Sequence, residues 1–507
     1  MSFMESLKET LNEDMNVSVT ENGAVGYRTS GKELLDLNFS VTSLRNKSDA
    51  EIEKKFAKAF YENKLLAIKW MFFARDARGG LGERRLFRIA LKFLEREQQK
   101  IAKAVIQLVP EYGRWDDLWD LLETDLKDDI VNLVKKQLTV DMDNMAENKS
   151  ISLLAKWMPS ENTSSKKTKR LAKIMRNSLG LTPKNYRKLL SKLRKYLDVI
   201  ETHMSAKEWN AIDYAAVPSR ANLIYNSAFL RNDEERRREY LSKLEKGETK
   251  INAGVLFPHD IVHNYNGKRN DVALEEMWKA LPDYVKDSGN TICVADGSGS
   301  MDWASLGNTR VTALEVANAL AIYFAERSSG QFKDTYITFS TRPKLVDLSK
   351  GKSLKEKISI AHRHNECSNT NIEAVFDLIL QTAINKNMNQ DELPKNILIL
   401  SDMEFDSCAE VNGGYRTKPN VRLFKVIADK YAEHGYKLPR LVFWNICGRT
   451  GTIPVKENDL GVALVSGFSP AIVKMVLSNK TDPFECLVEQ LNVERYNAVE
   501  AAIKKCI

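Results

Sequence analysis

No apolar run in the 507 residues approaches the length of about eighteen that a membrane-spanning helix needs. The stretch Asn396 to Leu400 has the length of a buried strand, so a membrane partner is not expected. The six cysteines, Cys293, Cys367, Cys408, Cys447, Cys486 and Cys506, are scattered and contain no Cys-x-x-Cys pair. That spacing excludes a disulfide framework and a structural zinc site, and reads as free thiols of a reducing compartment. Histidine is equally scarce, and the pair flanking Arg363, His362 and His364, has no metal-ligand spacing. The first residues are polar and carry Glu5, Glu9, Glu13 and Asp14, which is unlike a secretory signal. Together these absences predict an intracellular, cytoplasmic protein.

What the chain does have is the balance of a soluble globular protein, 43% hydrophobic and 28% charged residues. Its length calls for two domains, or a repeat array plus a domain. The net charge of +8 is unevenly spread. Residues 151–200 hold thirteen Lys or Arg against Glu161 and Asp198, and the remainder is slightly acidic. A basic block inside an otherwise balanced chain points to an anionic partner.

From about Glu51 to Lys286 the pattern is helical, with apolar residues at three and four spacings in Leu65–Phe73, Leu86–Leu94, Ile101–Leu108 and Leu118–Val134. Gly79-Gly80, Pro110 and Gly113 separate them. Short amphipathic helices without strands read as a degenerate helical-repeat solenoid. In the basic block, Leu171, Ile174, Met175 and Leu179 make one stripe, ended by Gly180. A second helix starts at Thr182 as N-cap with Pro183 in the first turn. It buries Leu189, Leu190, Leu193, Leu197 and Ile200 and turns Lys184, Lys188 and Lys195 outward. The displayed cations are Lys166, Lys167, Lys169, Arg170, Lys173, Arg176, Lys184, Arg187, Lys188, Lys192 and Lys195. Tyr186 and Tyr196 flank the apolar faces and read as packing rather than base-stacking residues.

After Gly289 strands and helices alternate. Strands fit Thr291–Ala295, Thr335–Ser340, Lys344–Leu348, Ile397–Asp402, Leu441–Ile446 and Val462–Val465. Helices fit Val311–Arg327, Ile372–Ile384, Val421–Glu433 and Pro470–Leu477. Near-continuous apolar strands in alternation predict a mostly parallel sheet covered on both faces, a doubly wound α/β domain. Tyr336 and Leu345 mark an antiparallel edge hairpin. The expected division is 1–287, helical, and 288–507, α/β. No Gly/Ser- or Pro-rich linker separates the two, since Leu274, Met277, Trp278 and Leu281 continue a helical pattern.

Asp296-Gly297-Ser298-Gly299-Ser300 directly follows the first strand of that domain, at the carboxyl end where such folds bind ligands. A carboxylate followed by two hydroxyls at alternate positions can converge on one hard cation, and the glycines let the loop curl. Oxygen-only ligation suits Mg2+, or Mn2+ or Ca2+, and not zinc. Thr370 before a helix and Asp402 at the end of a strand add two further oxygens. Catalysis finds little support. Position 296 is Asp where an acyl-transfer elbow has Gly, and Gly80-Leu81-Gly82 lacks both a preceding strand and a third glycine. The expectation is a protein that is not an enzyme.

The Asp-x-Ser-x-Ser loop, the Ser368-Asn369-Thr370-Asn371 loop and Leu400-Ser401-Asp402 resemble the metal-ion-dependent adhesion site of von Willebrand factor A-type domains. That resemblance implies Ser298, Ser300 and Thr370 as hydroxyl ligands, with Asp296 and Asp402 contacting the ion directly or through water. Over roughly residues 40–480 the chain is similar to the TROVE family of Ro proteins, and more so to an uncharacterised Ro-like family. The stretches that carry this are 75–85, 112–118, 157–162, 204–207 and 250–253. The resemblance implies a HEAT-like ring of helical repeats joined by a Rossmann-like A-type domain. It further implies a monomeric ribonucleoprotein component that binds small noncoding RNA and single-stranded 3′ ends, with an acidic protein ligand at the metal. The rival expectation, from another class, is a metal-dependent protein-interaction scaffold that does not bind RNA.

Overall fold

The computed structural model describes residues 4, 11, 15–265, 271–285, 290–304, 306–307, 309–406, 423–455, 461–472 and 482–506. Glu5, Glu9, Glu13, Asp14 and Cys408 lie outside these. So do residues 286–289 of the connection, the start of the helix expected from Val421 and the end of the one expected from Pro470.

The chain forms two compact units, and both are discontinuous. One comprises residues 1–67 and 256–493, the other 68–255 and 494–507. This differs from the division expected at 287/288. The amino-terminal segment packs with the sheet, and the carboxyl-terminal residues pack with the helices.

In the first unit six strands are ordered β5-β4-β3-β6-β7-β8. They are β3 (Thr291–Asp296), β4 (Thr335–Phe339), β5 (Lys344–Asp347), β6 (Asn396–Ser401), β7 (Arg440–Asn445) and β8 (Val462–Ser466). All neighbours are parallel except β4 and β5, where Leu345 faces Ile337 at the sheet edge. Every residue of β3 is buried, as expected of a central parallel strand. From β3 the chain runs outward through β4 and β5, then returns to β6 on the opposite side of β3. The crevice between β3 and β6 is therefore a topological switch point. The helix Ala313–Arg327 is buried over most of its length, and a Thr312–Glu315 capping box sets its start.

The same unit holds an amino-terminal hairpin absent from the expected strands, β1 (Val17–Val19) and β2 (Val25–Tyr27). Its signal in the sequence was Asn22-Gly23 between valines, with Gly23 at φ 93°. Tyr27 and Ile453 exchange backbone hydrogen bonds of 2.8 Å. Gly26 is needed there, since a Cβ would lie 2.7 Å from the Ile453 carbonyl oxygen. The helix Glu33–Phe39 follows, and the Asn445 side chain donates to the Phe39 carbonyl at 2.8 Å.

The described residues of the second unit form helices joined by loops, with no strand among them. Phe72, Phe87, Tyr112 and Tyr496 form an aromatic core, with Tyr112 and Tyr496 stacked at 5.8 Å. The carboxyl-terminal peptide is tied in by polar contacts as well. Arg495 and Tyr496 both donate to Asp76, and Lys69, which is buried, pairs with Glu500 at 2.5 Å. Gly80 admits no side chain, because a Cβ would lie 1.9 Å from the Phe73 carbonyl oxygen.

The two basic helices lie at Lys166–Ser178 and Pro183–Tyr196, capped by the side chains of Ser165 and Thr182. Gly180, at φ 68°, separates them. The first buries Leu171, Ala172 and Met175, the second Tyr186, Leu190 and Leu193. Ile174, Leu179, Leu189 and Leu197 are only half-buried, so the stripes are narrower than the periodicity indicated.

Candidate functional site

Asp296 ends β3, and the pairing of Ala295 with Leu400 places Asp296 beside Ser401 across the switch point. Ser401 Oγ donates to Asp296 Oδ2 at 2.6 Å, and Ser298 N donates to Oδ1 at 2.9 Å. The hydroxyls of Ser298 and Ser300 lie 3.1 Å apart, so both can face a single point. Gly299 N donates to the Ser368 carbonyl and Cys367 N to the Gly297 carbonyl, which docks the Thr370 loop onto the Asp296 loop. Both glycines are required by this approach. A Cβ on Gly297 would lie 2.9 Å from Thr338 Oγ1, and one on Gly299 would lie 2.9 Å from the Cys367 carbonyl oxygen. Asp402 follows β6 and is fully buried, as Asp296 nearly is.

Two buried carboxylates thus lie close enough to repel each other. Burial, and then the charge of Asp402, push the Asp296 carboxyl up to about 7. Carboxylates and hydroxyls are the oxygen types that a hard divalent ion takes, and the charge of such an ion would relieve the repulsion of the two acids. No group of three or more His, Cys, Asp or Glu among the described residues is arranged to hold a metal, so any ion here depends on the hydroxyls. Beside the loop, on the short helix Gly299–Trp303, the Trp303 side chain is 87% exposed.

Three residues at the site were not foreseen, Arg449, Asn22 and Glu404. Arg449 Nη1 donates to Asp402 Oδ2 at 2.7 Å and pairs with Glu21 at 2.8 Å. Asn22 Nδ2 donates to Thr370 Oγ1 at 3.2 Å and to the Glu404 carbonyl at 2.6 Å. Buried Glu404 accepts from the backbone N–H groups of Glu21, Arg449 and Thr450, which holds hairpin and arginine together. A guanidinium therefore occupies one oxygen of a candidate ligand. Arg449→Gln is expected to raise Mn2+ affinity roughly tenfold, because the ion no longer displaces a charge-assisted hydrogen bond. Calorimetric titration checks this, and equal affinities would show that the arginine does not compete.

The eleven cations of the basic helices divide into two sets. Lys167 pairs with Asp120 at 2.5 Å and Arg170 with Glu123 at 2.7 Å. Arg176 and Arg187 both pair with Glu161, at 3.0 and 3.3 Å. Lys166, Lys169, Lys173, Lys184, Lys188, Lys192 and Lys195 are exposed and have no ion-pair partner among the described residues. Tyr186 is buried with its hydroxyl on the Pro159 carbonyl, and Tyr196 donates to the Lys149 carbonyl. Both are packing residues.

The uncharacterized protein L728 of Acanthamoeba polyphaga mimivirus is 32% identical over 525 residues, spanning 96% of this chain and 89% of that protein. The chain belongs to that protein's family. Two family models match parts of it, a domain of unknown function (DUF2828) at residues 176–291 and another (DUF7788) at 290–505. They meet close to where the strand-helix alternation begins. Among solved structures, the crystal structure of Deinococcus radiodurans RO (RSR) protein is matched over 92% of this chain and 93% of that one. It is 13% identical with a TM-score of 0.35, and at that level the likeness carries no argument. No helix among the described residues is long and apolar enough to cross a membrane.

Proposed function

We propose that this family member is a non-enzymatic RNA-binding protein of Ro type, acting as a cytoplasmic monomer. Its basic helical face takes small noncoding RNA or single-stranded 3′ ends. Its sheet-end site holds Mg2+, or Mn2+ or Ca2+, leaving a position open to an acidic group of a protein ligand. The observation that carries the RNA reading is the set of seven exposed lysines on two successive helices, none held by an acid among the described residues. Such unpaired cations take phosphate oxygens and release counterions. Replacing Lys184, Lys188 and Lys195 together with glutamine should weaken binding to many RNA sequences alike. The slope of log affinity against log salt should flatten by about 0.7 for each lost single-strand phosphate contact. Filter binding across a salt series measures it, and an unchanged slope would assign that face to solvation.

The exposure of Trp303 beside the Asp296 loop favours a second reading, a cation-dependent protein-interaction scaffold that binds no RNA. The two are separated by whether the purified protein carries a nucleic acid absorbance that ribonuclease removes.

A further inference from the structure

The stretches 75–85 and 112–118, which neither the cation site nor the lysine face uses, fold into one cluster built on Asp117. This carboxylate is buried. Its Oδ2 accepts from Arg75 Nε at 2.8 Å and from the Arg114 backbone N–H at 3.0 Å. Its Oδ1 accepts from Arg84 Nε at 3.1 Å and Arg88 Nε at 2.8 Å. Asp116 next to it takes Arg84 Nη2 through one carboxylate oxygen, and its backbone carbonyl takes Arg88 Nη2 at 2.6 Å. The Arg114 guanidinium also pairs with Asp116 and lies 4.1 Å from the Trp157 ring centre. Gly113 lets the chain pass, since a Cβ there would lie 2.8 Å from Asp117 Oδ2.

Four guanidinium groups therefore share two carboxylates, leaving an excess of positive charge in a half-buried place. A helix staple needs one arginine for each aspartate. Arg75 is enclosed, but the side chains of Arg84, Arg88 and Arg114 are 39%, 25% and 31% exposed. Arg84 and Arg88 each commit Nε and Nη2 to the aspartates, while their Nη1 groups have no protein partner among the described residues. The buried carboxylate fixes the forks so that their free edges can act together, with little rotamer freedom left to lose. Asp120 extends the patch, lying 3.8 Å from Lys92 and 2.5 Å from Lys167 at the start of the first basic helix.

We propose that Arg84, Arg88 and Arg114, held by Asp117, form a binding site for a phosphate group. Guanidinium edges match phosphate oxygens in pairs, and a dianion neutralises the excess charge. The site does not require the lysine face to bind RNA. The phosphate has two possible sources, a nucleic-acid backbone or a free phosphate or phosphomonoester.

The test uses the full chain with inorganic phosphate as probe, read by saturable broadening of the 31P resonance and by thermal shift against equal ionic strength of chloride. Wild type should bind saturably. Arg84→Gln and Arg88→Gln should raise the dissociation constant roughly tenfold. The Lys184→Gln, Lys188→Gln, Lys195→Gln triple variant should bind as wild type does. Arg84→Lys keeps the charge but loses the fork, and it should also bind more weakly if the glutamine variants do not fold. No saturable binding by wild type, or equal binding by the arginine variants, overturns the site. A short oligouridylate distinguishes the source. Displacement of phosphate identifies a nucleic-acid backbone, and retention of phosphate identifies the free anion or phosphomonoester. Failure of the lysine-face reading alone would leave phosphate binding intact.

Discussion

Asp117→Asn is expected to destabilise the protein by roughly 3–5 kcal/mol, because it removes the charge around which Arg75, Arg84 and Arg88 are arranged. The amide keeps the shape and can still accept hydrogen bonds, but leaves Asp116 alone against four guanidinium groups. Burial pushes the Asp117 carboxyl up, yet the charges of Arg75 and Arg88 outweigh this and hold it below the ordinary value of 3.8. A carboxylate lowered on folding contributes stability that is present above its unfolded pKa and is lost as the pH falls through the folded one. The wild type should therefore lose this contribution below pH 3.8, and the asparagine variant should lack it at every pH. Denaturant melts at neutral and acid pH measure both. Asp120→Asn is the control, since its partners lie on the rim and each such pair is worth about 1 kcal/mol or less. If the two variants unfold alike, Asp117 is not the hub.

For the cation site, Asp296→Ala should abolish stabilisation by Mg2+ or Mn2+. An ion at about a hundred times its dissociation constant adds about 2.7 kcal/mol to a protein that binds it only when folded. That increment should appear in wild type and be missing in the variant. In a chelator the order changes. Asp296 is buried beside Asp402, and alanine removes the cost of burying two mutually repelling acids. The metal-free variant should then be at least as stable as the metal-free wild type. Thermal melts with chelator and with ion give all four values. Persistent stabilisation in the variant would place the metal elsewhere.

The strands of the sheet were legible to within a residue or two, because apolar segments such as Ile397–Leu400 sit between clear turn signals. Asp296 could be placed at the end of β3, and Ser298, Ser300, Thr370 and Asp402 in or beside the turns that follow strands or precede a helix, since the sequence marks the ends of those elements. What sequence reasoning missed depends on partners distant along the chain. Arg449 reaches Glu21 and Asp402, and Arg495 reaches Asp76, through contacts that no local periodicity encodes. The same is true of Asp120 and Glu123, acids far enough from the basic block to escape a local charge count, whereas Glu161 lies inside that count and takes two of its arginines. The hairpin was readable from Asn22-Gly23 but was obscured by the polarity around it. The compact units have other bounds than 287/288 for the same reason, because composition changes where the strands begin and not where the packing is completed.

That interleaving has a consequence for synthesis. As the chain leaves the ribosome, residues 1–67 emerge well before the segment from 256 onward that completes their unit. The helix Glu33–Phe39, whose Leu34, Leu35 and Leu37 are almost wholly enclosed in the finished protein, can at first pack only against the helix Asp49–Glu62 and must wait for its contacts with β8. The helices from residue 68 emerge next, but their aromatic core lacks Tyr496 until the residues from 494 onward have followed. Both units are thus completed late, and the nascent protein should engage chaperones that shield apolar segments. A ribosome stalled before Arg495 would hold a chain in which neither the Asp76 pairing nor the stacking of Tyr112 can form.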